Sequence, residues 1–418
     1  MPGYIKNRGK RADGTTRWQA RWRPPGQPSD AKRIEKVFRT KRDATRWLST
    51  MDADAHRGSY LDPRRGQVPF TQVATEWQAT WGRLAPKTRA GYTSILNHHV
   101  LPAFGKTPVA RITAEEVQAF HNRLAATRAP NTVRRIMDVL RGVLALAVKR
   151  RYIASNPADT QAVELARKAR TTTIHPLTHA ELNHLVQALP AHWRLPVLLD
   201  AYTGLRAGEL WALRRPSVQT TGNPELSITH ALKEVTTQHT EHLPQEQRLT
   251  DSLIIGPTKT HQTRKVSLPP FLARDLAAHL LQAPPNPRGL VFTTPTGTPV
   301  RQNLFYKRVF VPAARQALPQ LTSQAELALR ARHARLGKPA PTAKQLNAVS
   351  PIRFHDLRHT CAAWLIAAGA HPLQIKLRLG HESIRTTMDT YGHLFPSAEP
   401  ELAALLETGR QAAVDAAR

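Results

Sequence analysis

The chain of 418 residues carries 60 Lys and Arg against 30 Asp and Glu, a formal net charge of +30, and a single cysteine, Cys361. That length exceeds one ordinary domain, so two or three compact units are expected, and a charge excess spread along all of them calls for a polyanionic partner. No run of about 18 apolar residues, no signal-peptide core in MPGYIKNRGKRADG and no second thiol are present, which excludes a membrane span, a disulfide and a multi-thiolate zinc centre, and a soluble, cytoplasmic protein is expected.

Residues 1–62 open with strand alternation: Trp18, Ala20 and Trp22 face one way, and Arg17, Gln19, Arg21 and Arg23 the other. A Pro/Gly turn at 24–28 leads to a second strand at 33–38. Thr40 and Asp43 then begin a helix with the inner stripe Ala44, Trp47, Leu48, Met51 and Ala55. This unit holds 15 Lys or Arg against 7 Asp or Glu and reads as a sheet-plus-helix DNA-binding module, a merely solvated basic face being the alternative.

Residues 68–159 turn helical. One stripe is Phe70, Val73, Ala74, Trp77 and Trp81, and a second is Tyr92, Ile95, Leu96 and Val100. Pro102 and Gly105 are expected to break the chain, Thr113 and Glu116 to cap a third helix, and Asn131 to start a fourth on Val133, Ile136, Met137, Leu140, Val143 and Leu144. Arg134, Arg135, Arg141, Lys149, Arg150 and Arg151 give the fourth helix a basic, phosphate-contacting surface, and the polar stretch 156–173 reads as a linker. From 174 to 397 helices mix with a strand pair near 226–229 and 253–268, and 312–350 reads as an inserted helical or loose segment. The fold class expected is multidomain, mainly α with small β-sheets.

Five short motifs in this last part carry chemistry. Thr203-Gly204-Leu205-Arg206-Ala207-Gly208-Glu209-Leu210 sets an arginine between two glycines at a helix junction, where backbone can approach a phosphate. Pro257-Thr258-Lys259-Thr260 before Arg264-Lys265-Val266-Ser267 resembles a β-hairpin with Lys259 near its tip, able to offer an ammonium to a leaving oxygen or simply exposed to water. His355-Asp356-Leu357-Arg358-His359-Thr360 puts His355 and Arg358 three apart on a helix, a donor and a guanidinium fork for one anion. His381 follows in Leu379-Gly380-His381, and Tyr391 in Thr390-Tyr391-Gly392-His393. A metal site on the histidines is the competing reading; it lacks the glutamate of HExxH and is ringed by arginines that repel a cation.

Arg206, Lys259, His355, Arg358, His381 and Tyr391, in that order and spacing, resemble the active-site set of the tyrosine recombinase (phage integrase) family. The resemblance extends over nearly the whole chain: 1–62 is similar to an arm-type DNA-binding domain, 68–159 to a helical core-type DNA-binding domain, 174–397 to the α+β catalytic domain, and 398–418 to a C-terminal tail helix that docks on a neighbouring subunit. The excursion 220–252 and the segment 312–350 depart from the family pattern. The resemblance implies that Tyr391 attacks phosphorus, that Arg206, Arg358 and His381 bind the phosphate oxygens, that His355 accepts the tyrosine proton and that Lys259 protonates the departing 5′ oxygen. It implies a 3′ phosphotyrosyl intermediate without metal or other cofactor. Its implied partners are double-stranded DNA at attachment sites, three further copies in a homo-tetramer, and an excision factor or DNA-bending protein. The extra basic module points to integration and excision of a mobile element, with a chromosome-dimer resolvase or a catalytically silent DNA-binding protein as alternatives.

Overall fold

A computed structural model of the chain describes residues 3–10, 16–25, 33–57, 60, 62, 64–159, 175–235, 245–258, 262–283, 286, 288–395, 407, 408 and 410. Lys259, most of the tail and the greater part of the linker lie outside them. The chain divides into two compact units, Met1–Leu84 with Gly91–Ala169, and Ala85–Ala90 with Arg170–Arg418.

The first unit begins with an antiparallel sheet of β1 (Gly3–Lys10), β2 (Thr16–Trp22) and β3 (Ile34–Phe38), in the order β1-β2-β3. The alternation in β2 buries Ala20 and Trp22, but Gln19 is buried too, because it bonds the side chains of Arg8 and Glu35 on the flanking strands. Strand β1 escapes sequence reading since its GYIKNRGK has no apolar alternation and pairs along one edge only. Helix α1 (Lys41–His56) starts where expected, with the Thr40 side chain accepting from the Asp43 N–H.

The helices α2 (Phe70–Ala79), α3 (Pro86–Ile95), α4 (Leu101–Phe104), α5 (Ala114–Thr127) and α6 (Pro130–Lys149) follow. Pro102 does not break the chain. A π turn over Leu96–Val100 joins α3 to α4, and Pro102 falls at the start of α4, where a missing N–H costs least. The capping box of Thr113 and Glu116 forms on α5, and the whole predicted stripe of α6 is buried. The linker is packed at its start: Asn156 donates to the Arg141 carbonyl and accepts from the Ala158 N–H.

The second unit runs α7 (His179–Ala188), α8 (Ala191–Thr203) and α9 (Ala207–Leu210), then two three-stranded antiparallel sheets. One sheet is β4 (Val218–Gln219), β5 (Glu225–Ile228) and β9 (Arg264–Ser267); the other is β6 (His230–Glu234), β8 (Leu253–Pro257) and β7 (Arg248–Thr250). This corrects the expected lysine hairpin. Strand β8 pairs with β6 and β7, whereas β9 pairs with β5, so β8 and β9 belong to different sheets and do not form a hairpin with each other.

Helices α10 (Pro270–Gln282), α11 (Gln302–Phe305), α12 (Val311–Ala317), α13 (Pro319–Arg335) and α14 (Ala343–Asn347) show that 312–350 is helical. Arg315 fastens this segment, donating to the carbonyls of Leu346 and Val349 and pairing with Glu326. Helices α15 (Asp356–Ala367), α16 (Pro372–Leu379) and α17 (Ile384–Tyr391) complete the unit. The main core gathers Trp211, Phe305, Phe310 and Phe354, while Tyr391 joins a smaller cluster with Ala362, Ile366, Ile375 and Leu379. Among the described residues no helix is long and apolar enough to cross a membrane.

Candidate active site

Two helix ends and one buried charge build the site. Helix α8 stops at Gly204, whose φ of 65° is left-handed, and a Cβ there would meet Leu379 Cδ2 at 2.5 Å. Helix α16 stops in the same way at Gly380, with φ 67°. The carbonyls freed at these ends point at Arg358, in the first turn of α15: its Nη1 donates to Gly204 O at 2.5 Å and its Nη2 to Leu379 O at 2.6 Å. Arg206 Nη2 donates to the adjoining Gly380 O at 2.9 Å. Both arginines thus hold the turn that presents His381.

Glu209 supplies the counter-charge. It accepts from the Arg206 backbone N–H at 2.9 Å and from Arg206 Nη1 at 2.8 Å, and its other side receives Arg264 Nη2 at 2.7 Å. Burial alone would raise this carboxyl, but the hydrogen bond and charge of Arg264, then those of Arg206, outweigh it and bring the pKa to about 2. Arg264 also donates through Nε to Arg378 O, which ties β9 to the end of α16. Burial first, then the Arg206 charge, pull Arg358 down to about 10, so it stays protonated at neutral pH.

Three histidines line the rest. His381 Nδ1 pairs with the buried Thr387 Oγ1 at 2.8 Å, which fixes its ring. His355 lies at the N-cap of α15, partly open to solvent but with its ring packed edge-on against His359 at 4.9 Å and surrounded by the site. His359 Nδ1 lies 2.7 Å from the hydroxyl oxygen of Tyr391, and the Tyr391 ring lies parallel to that of His381 at 6.4 Å. Burial, reinforced by neighbouring positive charge, lowers His355 and His359 to about 4 and His381 to about 3, so all three are neutral at pH 7. Burial pushes Tyr391 up to about 12 against the pull of Arg358. Nearby Asp200 is buried on α8 and, among the described residues, neither carboxyl oxygen has a hydrogen-bond partner; burial raises its pKa well above the usual carboxylate range.

Arg206, His355, Arg358, His381 and Tyr391 are therefore brought together, while Lys259 lies outside the described residues. Sequence reading missed His359, which it weighed only as a metal ligand, and gave no task to Arg264 or Thr387. The contact of His359 with Tyr391 spans 32 residues, and no local spacing announces it.

Glu209→Gln removes the charge between two guanidinium groups while keeping the shape. It is expected to cost on the order of 3 kcal/mol in a denaturant titration, and an unchanged midpoint would contradict the pairing. Asp200→Asn is expected to act in the opposite direction. Burial raises the Asp200 carboxyl, so the folded chain gives up that proton at a higher pH than the unfolded chain and loses stability as pH rises above the unfolded carboxylate value; the melting temperature of the asparagine chain should gain on the parent's across that rise, and the lack of such a gain would count against the raised carboxyl. The depressed histidines give a third sign. Their stabilising effect is complete above the unfolded pKa of about 6.5 and is lost as pH falls toward 3–4, because the unfolded chain takes up protons first. Calorimetry from pH 7 to 4 should therefore show a shallower fall in melting temperature for His381→Asn than for the parent.

Two family descriptions match the chain: phage integrase central domain over residues 70–170 and phage integrase family over residues 175–397. The prophage phiRv2 integrase of Mycobacterium tuberculosis is 27% identical over 400 residues, covering 93% of this chain and 92% of that protein. The integrase of Mycobacterium phage FRAT1 is 26% identical over 83% of this chain and 92% of its own length. Among solved structures, the Tn1549 transposon integrase in complex with transposon right end DNA superposes with a TM-score of 0.57 at 16% identity, over 82% of this chain and 99% of that one. The lambda integrase dimer bound to a core site gives 0.50 at 17% identity, over 93% and 94%. With the integrase family description spanning more than half of its length, this chain belongs to the phage integrase family of tyrosine recombinases.

Proposed function

We propose that this recombinase integrates or excises a mobile element by cutting double-stranded DNA with Tyr391, on a phosphate site formed by Arg206, His355, Arg358 and His381. The observation that carries the reading is the meeting of both arginines on the single turn that presents His381, with the Tyr391 ring stacked beside it. A phosphodiester resists attack because its oxygens are negatively charged, so the catalyst has to supply positive charge and donors to the pentacoordinate transition state. A guanidinium carries five N–H groups; Arg358 and Arg206 each donate from Nη1 and from Nη2 to protein oxygens, and further N–H groups of the same forks are the donors for non-bridging oxygens on this reading. His381, neutral and fixed through Nδ1, offers Nε2 to an oxygen, and exposed His355 contributes from the N-terminus of α15. By family resemblance Lys259 protonates the 5′ oxygen, and the 3′ phosphotyrosyl link stores the bond energy for rejoining without ATP.

The basic strands and helix of residues 3–57 and the helices of 68–159 serve as arm-type and core-type grips on the duplex, and four copies synapse two sites, with an excision factor or DNA-bending protein as accessory. The net charge of +30 supports phosphate-driven binding that weakens steeply with salt.

Tyr391→Phe is expected to bind duplex DNA as the parent does and to form no protease-sensitive protein–DNA adduct; an adduct that persists in this variant overturns the assignment. Arg206→Ala is expected to slow cleavage by about a hundredfold or more, equivalent to roughly 3 kcal/mol of lost transition-state stabilisation, and unchanged cleavage would remove Arg206 from the phosphate site.

A further inference from the structure

We propose that His359, rather than His355, takes the proton of Tyr391 during strand cleavage and returns it during rejoining. The inference rests on Tyr391 being the nucleophile. Of the histidines around Tyr391, His359 is the one in hydrogen-bond contact with its hydroxyl, at 2.7 Å through Nδ1, with the rings edge-on at 5.6 Å. The contact is sealed: His359 is 9% and Tyr391 1% exposed. His355 sits one step outward, exposed and packed edge-on against His359, and among the described residues it makes no hydrogen bond to Tyr391. That position suits an incoming phosphate oxygen better than a buried phenol.

Protonation favours the same assignment. An acceptor has to be unprotonated before reaction, and burial keeps the His359 imidazole neutral at pH 7. With His359 at about 4 and Tyr391 at about 12, transfer ahead of attack is strongly uphill, so no free phenolate accumulates. The proton moves as the new bond forms. The Tyr391 oxygen bonds to phosphorus, its proton passes to His359 Nδ1, and the bond from phosphorus to the 5′ oxygen breaks with its electron pair on that oxygen, which is protonated by the leaving-group acid assigned above to Lys259. Rejoining reverses each transfer: the 5′ hydroxyl attacks, its proton goes to Lys259, and His359 gives its proton back to the tyrosine oxygen.

The test uses the full chain and duplexes chosen from a randomised pool by their covalent capture on the parent protein, made with either oxygen or sulfur at the bridging 5′ position. Sulfur leaves without a proton donor, so its cleavage reports on the nucleophile alone. His359→Ala is expected to cut both duplexes about a hundredfold or more slowly with DNA binding unchanged, and added imidazole should restore part of the rate. His359→Gln, which can still hydrogen-bond but cannot take up a proton, should be equally slow. The inference is overturned if His359→Gln cuts within about threefold of the parent, which would make the residue only a tether, or if the sulfur duplex restores His359→Ala, which would place it on the leaving-group side. A parent chain that forms no adduct, or an adduct that survives Tyr391→Phe, defeats the reading of Tyr391 itself and this inference with it. Adduct formation through Tyr391 with a normal rate in His359→Ala defeats this inference alone.

Discussion

A guanidinium that is 1% exposed has to find its oxygens inside the protein, and Arg358 finds them on two backbone turns distant from each other in sequence. Leaving such a group without partners would cost several kcal/mol, so the turns and the arginine form one unit. Both turns end helices in the left-handed conformation, at Gly204 and Gly380, and the carbonyls released there are the ones Arg358 engages directly or through the preceding residue. One turn leads to Arg206 and the other to His381. Fixing Arg358 therefore fixes the relative position of groups separated by some 175 residues, and Arg206 closes the ring by reaching the Gly380 carbonyl.

The placement of these residues was legible because glycine, charge and spacing coincide. An arginine between glycines, His355 and Arg358 in one helical turn, and a Leu-Gly-His before Tyr391 are local patterns, and local patterns survive in a sequence. The helical unit was legible for the same reason, down to the stripe of α6 and the capping box of α5. What failed depends on distant partners. Strands β8 and β9 adjoin in sequence and read as a hairpin, but each pairs with a different earlier strand. Pro102 reads as a helix breaker because a π turn that shifts the register is invisible in composition. His359 looks like an ordinary helix residue until α17 folds back and sets Tyr391 against it.

The same burial that hides these contacts sets the chemistry. Water withdrawn from the site lowers the histidines and raises the tyrosine, so at neutral pH every one of them is uncharged and the phenol holds its proton. A nucleophile kept in this form does not react with stray electrophiles. On the reading proposed above, it becomes reactive when a phosphate brings its phosphorus within reach and the proton has a neutral imidazole to go to. Tyr391 is 1% exposed at the end of α17, and this short helix, with its 3₁₀ turn at Gly392–Leu394, is linked to the rest of the site through the Thr387 bond to His381.

On the reading proposed above, the charges around the turn suit the site to a phosphate. Arg206, Arg264 and Arg358 bring three positive charges, the three histidines bring none, and Glu209 is the ionised carboxylate among them. Asp200 bears on this balance: ionised it would cancel a further positive charge, and its burial acts against that ionisation by raising its carboxyl well above the usual range. The phosphodiester carries negative charge that, in the transition state, is spread over the oxygens around phosphorus. Positive charge and donors fixed in advance where that charge develops are the condition for a site to accelerate reaction and not merely to bind. Glu209 then has a second effect beyond structure: by staying ionised between Arg206 and Arg264 it offsets one of the positive charges around the turn.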